Sequence, residues 1–374
     1  MLLSLVLGAM AGVGVYHFIG KDDGVIQDTG GVPAYEGEEG VVTIIKNNGS
    51  VKINKTTYSE DKEALTVVGV VEKAAASVVE VSTLTSSNYG QYVSSGAGSG
   101  VIIAVGGGYS YIVTNYHVVG GSDSITVRLT DKREFTAEYI DGDDGMDIAV
   151  IKIAVTENIV AAEIGSSSSL RVGEGVVAIG NPLGELGGTV TDGIISALDR
   201  EITIDGVTMT LLQTNAAVNP GNSGGGLFNM AGELIGIVNA KESAEGIEGL
   251  GFAIPIDTVY EDIVDVIEDG YIHGRITFGF EAAYLGQFDA YRYFGSSYAG
   301  IYVINAASSD FKQGDRITEV NSVSVLSESE LLAALQNVKI GDSVSFRVVR
   351  GGSAMQVNVT AKEYIPSGVV AEAQ

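Results

Sequence analysis

The chain has 374 residues, room for two modest domains plus extensions, and a formal charge of −26 at pH 7. A surface this acidic repels nucleic acid and anionic headgroups, so no nucleic-acid partner is expected. The absence of cysteine excludes disulfides and thiolate metal sites, while 51 glycines suit a β protein with many turns.

Residues 2–19 are apolar or small apart from Ser4 and His17, and the chain turns polar at Lys21-Asp22-Asp23. A span of that length can just cross a bilayer. It reads as a signal anchor over 1–20 with the bulk of the chain outside, the alternative being a cleaved signal peptide and a secreted product. No Lys or Arg precedes it, so loop charge does not set its orientation. Residues 21–64 are polar and Gly-rich and read as a flexible linker with a short strand at 41–45.

A short helix is predicted over 70–76. Strands at 101–105 and 109–114 flank Gly106-Gly107-Gly108, a hairpin signal. The second runs on through Thr114-Asn115-Tyr116-His117-Val118-Val119, which reads as a strand ending at His117, one of three histidines. A lone histidine on an apolar strand is ordinarily a satisfied core residue. Further strands are predicted at 124–129, 134–140, 147–153, 175–180, 189–197, 201–204, 208–213, 226–228, 233–240 and 249–254. Short strands at this spacing indicate sandwich or barrel packing. Asp141-Gly142-Asp143-Asp144 lacks calcium-loop spacing and reads as a solvated acidic turn. Asp147 follows it at the mouth of an apolar strand, where a half-buried carboxylate can hold an imidazole tautomer.

Asn219-Pro220-Gly221-Asn222-Ser223-Gly224-Gly225-Gly226-Leu227 sets one serine among glycines. Glycine opens turns closed to other residues. Such a turn exposes the hydroxyl and gathers backbone N–H groups beside it, as a nucleophile and its oxyanion hole require. The order His117, Asp147, Ser223 is one of the chain orders of a serine-hydrolase triad. Gly221-Asn222-Ser223-Gly224-Gly225 also fits the nucleophile elbow of α/β-hydrolases, with Asp265 or Asp269 and His273 as later partners. That elbow joins a strand to a helix, whereas the segments before Ser223 read as short strands and turns.

Ile256, Val259, Tyr260, Ile263, Val266 and Ile267 recur at helical spacing, with Asp257 placed to cap the start and Gly270 the end. This helix, within 257–271, connects two domains. Ser327 to Glu330 forms a capping box for a later helix, and 343–349 and 354–361 read as closing strands around the turn at Arg350-Gly351-Gly352.

Taken with Gly98-Ser99-Gly100-Val101-Ile102-Ile103, Ala178-Ile179-Gly180-Asn181-Pro182-Leu183-Gly184, Gly193-Ile194-Ile195-Ser196-Ala197 and Gly251-Phe252-Ala253-Ile254-Pro255, these motifs resemble those of the HtrA/Deg family of trypsin-like serine proteases. The resemblance implies a mostly β fold: two six-stranded antiparallel β-barrels over 65–256, then a small α+β PDZ domain over 272–363 and a tail at 364–374. It implies a serine endopeptidase with Ser223 as nucleophile, His117 as base and Asp147 as the orienting acid. The oxyanion hole falls to the N–H groups of Gly221 and Ser223. The substrate pocket falls to Ala217, to Val238, Asn239 and Ala240, and to Gly251, Phe252 and Ala253. The PDZ peptide-binding loop falls to Phe278-Gly279-Phe280. No cofactor or metal is called for. Unfolded or damaged extracytoplasmic proteins are the implied substrates, with client C-termini bound by the PDZ domain, a homotrimeric assembly, and a single-pass site in the bacterial cytoplasmic membrane.

Two departures stand out. Gly226 replaces the family's usual proline, which is expected to loosen the turn after the nucleophile. The usual Pro-Ala helix before the Gly314-Asp315 turn is replaced by residues 306–312. Two other readings remain at this stage: a non-catalytic, chaperone-like or stress-sensing peptide binder with a resting site, and an esterase on the same site.

Overall fold

The computed structural model describes residues 41–46, 49–56, 64–86, 92–181, 188–204, 207–219, 221–240, 250–306 and 310–366. The apolar span at 2–19 and most of the 364–374 tail lie outside them. Among the described residues no helix is long and apolar enough to cross a membrane. The described residues fall into two compact units, divided between Ile272 and His273.

The first unit contains two barrels. The strands are β1 (Val41–Lys46), β2 (Gly49–Asn54), β3 (Val78–Ser86), β4 (Tyr92–Gly106), β5 (Tyr109–Thr114), β6 (Ser124–Arg128), β7 (Glu134–Asp143) and β8 (Ile148–Ile153). They run in the order β1-β2-β4-β3-β6-β7-β8-β5, and pairing of β4 with β5 closes the last six into a barrel. Alternation along each strand fills it: Val79, Val81, Ile102, Ile112, Ile125, Val127 and Ile151 form one core. Their neighbours Val78, Val101, Ile103, Val113, Ile148 and Val150 face the other way, into a second core shared with the rest of the unit. The second barrel closes in the order β10-β11-β14-β13-β12-β9. Its strands are β9 (Gly175–Gly180), β10 (Thr189–Ile204), β11 (Val207–Thr214), β12 (Gly226–Asn229), β13 (Leu234–Asn239) and β14 (Gly251–Pro255). The two strands predicted at 189–197 and 201–204 are one. Register shifts at Ala197, and a left-handed Asp199 at φ 51°, bend β10 without ending it.

The stretch read as a flexible linker contains the β1–β2 hairpin. Ile44, Val51 and Ile53 are fully buried, and β2 pairs with the end of β4. Gly106 permits the approach, since a Cβ there would lie 2.2 Å from the Ser50 carbonyl oxygen. Beyond the hairpin, Lys55 stands 3.6 Å over the Tyr260 ring, and Thr56 bonds to the Ile164 carbonyl and to Glu233.

Helix α1 (Val67–Ala74) starts three residues earlier than predicted, because Thr66 caps it by accepting the Gly69 N–H at 3.2 Å. A four-residue helical turn, α2 (Tyr116–Val119), follows β5. Helix α3 (Ile256–Glu268) buries Ile256, Val259, Tyr260, Ile263 and Ile267 along one face and ends before Gly270 at φ 85°. Its N-cap is Pro255, and Asp257 does not cap it. The Asp257 carboxylate instead accepts the Ser168 N–H and the Ser166 and Ser168 hydroxyls, each at 2.9 Å, with Lys55 at 3.9 Å.

Burial works against the Asp257 charge, but the Ser168 N–H, the two hydroxyls and Lys55 outweigh it and hold this carboxyl below its ordinary range. A carboxylate depressed in the fold adds stability that is complete above its unfolded value near 3.8 and is lost as pH falls through the folded value. Asp257→Asn is therefore expected to cost about 2 kcal/mol at neutral pH. Urea midpoints of wild type and variant should converge below about pH 4, and a constant gap would place the loss in packing.

The second unit is a sheet ordered β16-β17-β18-β20-β21. Its elements are β15 (Ile276–Thr277), β16 (Phe280–Leu285), α4 (Gln287–Phe294), β17 (Gly300–Ala306), β18 (Arg316–Val320), β19 (Val323–Ser324), α5 (Glu328–Leu335), β20 (Ser343–Arg350), β21 (Ser353–Thr360) and β22 (Lys362–Glu363). Its core joins Phe278, Ile301, Val303, Phe311, Ile317, Leu331, Leu335, Phe346 and Val348. Ser327 caps α5 by accepting the Glu330 N–H, while Glu330 reaches the N–H of Leu326 rather than that of Ser327. Helix α4 was not predicted. It buries only Ala290 and exposes Phe288, Tyr291 and Tyr293, so it lacks the apolar stripe that marks a helix in sequence.

Candidate active site

Strand β5 ends at Thr114, not at His117. Asn115 is extended, and Tyr116–Val119 then makes one helical turn. Val118 and Val119 face the first barrel's core, which leaves the His117 side chain 28% exposed. The tight turn before β8 delivers Asp147. The acidic stretch is not a solvated turn: Asp141 to Asp143 close β7, the buried Asp141 carboxylate accepts the Ile272 N–H at 3.0 Å, and Asp143 accepts the Met146 N–H at 2.9 Å. Asp147 lies in the left-handed region at φ 50°, with its side chain 8% exposed.

The Asp147 carboxylate gathers three donors. The backbone N–H of His117 reaches Oδ1 at 2.9 Å, and His117 Nδ1 lies 2.8 Å from Oδ2 and 3.0 Å from Oδ1. Asn239 Nδ2, from β13 of the second barrel, reaches Oδ2 at 3.0 Å. A carboxylate so placed fixes Nδ1 as the protonated nitrogen and leaves Nε2 as the basic one.

Ser223 sits on the turn before β12. Gly221 at φ 101° and Gly224 at φ 81° take conformations closed to most residues. The Gly224 N–H bonds to the Val238 carbonyl and the Gly225 N–H to the Asn222 carbonyl. Ser99, on β4 of the first barrel, clamps the turn from below. Its N–H takes the Ser223 carbonyl and its hydroxyl the Gly221 carbonyl, both at 2.7 Å, while that hydroxyl accepts the Asn181 N–H. Among the described residues the N–H groups of Gly221 and Ser223 have no protein acceptor. The Ser223 hydroxyl oxygen accepts the Ala240 N–H at 3.1 Å. Among the described contacts no hydrogen bond joins it to His117, a bond that commonly tightens only when substrate is bound.

Gly226 does not loosen the turn. It opens β12, paired on one side with Ile237 and on the other with Ile179, and the Phe228 ring occupies the space where a Cβ would lie, 2.3 Å from that position.

The residues assigned to the substrate pocket separate. Alternation along β13 and β14 turns Val238 and Ala253 into the second barrel's core, and Phe252 packs into the larger shared core. Asn239 is spent on Asp147. Ala217, Ala240 and Gly251 remain. Ala217 is exposed, with its carbonyl accepting the Thr191 hydroxyl at 2.8 Å. Of the loop at Phe278-Gly279-Phe280, both rings pack on Phe346, at 5.2 and 5.6 Å between centroids. Gly279, at φ 73°, gives its N–H to Thr277. Strand β16, which starts at Phe280, is an edge of its sheet, and on that edge the Tyr284 N–H is taken by Glu328 at 2.9 Å.

Ser99 and Asn115 went unassigned in the sequence. Ser99 lies in the Gly98-Ser99-Gly100 motif and Asn115 two residues before His117, and only the fold shows what each side chain touches. His273, offered for the elbow alternative, lies beside Glu363 in the second unit.

The family model for a trypsin-like peptidase domain matches residues 98–237, and that for a PDZ domain matches 285–361. The chain is 35% identical to serine protease Do-like HtrB of Bacillus subtilis, over 84% of this chain and 74% of that protein. It is 37% identical to serine protease Do-like HtrA of Lactococcus lactis subsp. cremoris, over 74% of this chain and 72% of the relative. With the periplasmic serine endoprotease DegP of Salmonella typhimurium it shares 38% identity over 73% of this chain and 58% of the relative. Among solved structures, the HtrA-type protease AlgW with a decapeptide superposes with a TM-score of 0.51 at 31% identity, covering 81% of this chain and all of the other.

Proposed function

Because the chain belongs to the HtrA family of trypsin-like serine proteases, and is a serine endopeptidase carrying a PDZ domain, we propose that Ser223, His117 and Asp147 carry its chemistry. His117 Nε2 takes the Ser223 proton as Oγ attacks the scissile carbonyl. The tetrahedral oxyanion is received by the N–H groups of Gly221 and Ser223. His117 gives the proton to the leaving amine, an acyl-enzyme forms, and water enters by the same base to release the acid and restore the serine. Each oxyanion donor lowers the barrier by about 3 kcal/mol. The observation that carries the reading is the 2.8 Å approach of Asp147 to His117 Nδ1, with two further donors fixing the same carboxylate.

The substrates proposed are unfolded or damaged extracytoplasmic proteins. Their C-termini would add as a strand along the edge of β16 beside Phe278-Gly279-Phe280. A homotrimer and attachment to the cytoplasmic membrane through residues 2–19 belong to the same proposal. Its support is the family and the composition of that span.

A fluorophosphonate probe tests the site. Peptide mapping should find the label on Ser223, and the His117→Ala chain should not be labelled. Cleavage-site mapping on unfolded casein tests the pocket. Ala217, Ala240 and Gly251 offer no carboxylate, so a lysine or arginine side chain would be desolvated without a partner. Small and medium apolar residues should precede the cuts, and a strong Lys/Arg preference would overturn the pocket.

A further inference from the structure

Asn115 is fully buried and stands at the N-cap position of the helical turn that carries His117. An asparagine there ordinarily caps the helix by accepting a hydrogen bond from the second or third helical N–H. Asn115 makes no such bond. The N–H it would take, that of His117, goes to the Asp147 carboxylate. Asn115 Nδ2 instead donates to the backbone carbonyl of Asp147 at 2.9 Å. Its own Oδ1 is buried without a hydrogen-bond partner.

Buried polar atoms are nearly always satisfied, so an orphan next to reacting groups points to a function that offsets its cost. Asp147 itself sits at φ 50°, a conformation unfavourable for a residue with a Cβ, and needs a restraint to stay there. The two contacts close a ring: Asn115 side chain to Asp147 backbone, and Asp147 side chain to His117 backbone. Asn239 grips the carboxylate from the second barrel, whereas Asn115 is the side chain that grips the Asp147 main chain.

We propose that Asn115 is a positioning residue: it gives up its helix cap to hold Asp147 in the left-handed conformation that aims the carboxylate at His117 Nδ1. The inference rests on the reading of Asp147 as the orienting acid, and the experiment separates the two. In the full-length chain, kcat and KM for a peptide substrate are measured for wild type, Asn115→Ala, Asp147→Asn and the double variant, with thermal midpoints. A misaimed carboxylate should lower kcat by about 100-fold in Asn115→Ala with KM unchanged. The thermal midpoint should fall by only a few degrees, because the Asp147 carbonyl loses its donor while the orphaned Asn115 oxygen is removed with it. In the Asp147→Asn background the same change should add almost nothing, since Asn115 acts only through that residue.

A wild-type kcat in Asn115→Ala beside a large loss in Asp147→Asn overturns the role of Asn115 alone. Losses that multiply in the double variant, or a rise in KM at constant kcat, also overturn it, because they mark a general structural effect. An unchanged kcat in Asp147→Asn overturns the triad reading itself. If Asn115→Ala does not fold, Asn115→Leu, which fills the amide's space, is read by the same outcomes.

Discussion

Replacing Ser223 by alanine should lower kcat for casein or a peptide by about 10⁶-fold while the fold persists. His117→Ala should do the same, and the pair together should lose little more than either alone, since a nucleophile without its base is no nucleophile. Removing Oγ leaves no large cavity and takes one acceptor from the Ala240 N–H, worth about 1 kcal/mol. Near-native circular dichroism and thermal midpoint are therefore expected alongside the lost activity. Asp147→Asn presents an amide where His117 Nδ1 needs a carboxylate, favours the wrong tautomer, and should cost about 10⁴-fold. Cleavage of comparable rate in any preparation of Ser223→Ala would remove this serine from the mechanism.

The second large effect comes from one methyl group. At Gly224, φ is 81°, and a Cβ would stand 2.1 Å from the Ser99 carbonyl oxygen and 2.3 Å from the Thr114 hydroxyl. Both are fixed parts of the first barrel, so the turn itself must move. Ser99 is also what clamps the carbonyls of Gly221 and Ser223. Gly224→Ala should thus cost 3 kcal/mol or more, roughly the sum of left-handed strain and an overpacked contact. Whatever remains folded should lose about 100-fold in kcat as the proposed oxyanion donors shift. Gly108→Ala supplies the comparison. Its φ is 87°, but nothing lies within 4 Å of the added carbon, so it isolates the backbone strain at about 1 kcal/mol. Equal urea midpoints and equal kcat in the two variants would contradict the clash.

The barrels were legible because alternation is a local property. Val79 and Val81 face one core, and Val78 faces the other, just as their spacing requires. Of the β1–β2 hairpin the sequence shows β1, the short strand at 41–45, but not β2, whose apolar residues alternate with Lys52 and Asn54, so the average composition of the stretch reads as polar. Helix α4 has no such signal, because Phe288, Tyr291 and Tyr293 point outward, and no periodicity announces a helix that buries one alanine. Asn115 to His117 continue the β-branched, aromatic run of β5 and so read as strand, but Val118 and Val119 pack into the first barrel's core as part of α2, and the chain makes a helical turn there instead. The site was legible only as an ordered set of residue types. That Asn239 serves Asp147, and that Ser99 holds the turn at Ser223, are contacts between residues 92 and 122 positions apart. No local pattern encodes such pairs, which is why Asn239 fell among the pocket residues.

The division of Asp147's partners between the two barrels has a consequence during synthesis. Synthesis releases the strands of the first barrel, with His117 and Asp147, before the proposed nucleophile and before Asn239. Ser223, Asn239 and the closing strand at Gly251–Pro255 come about a hundred residues later, and domains emerge N-terminal end first. On the proposed triad, a growing chain therefore holds its base with nothing to activate, and a protease made in this order should stay harmless to its neighbours until nearly the whole first unit has left the tunnel.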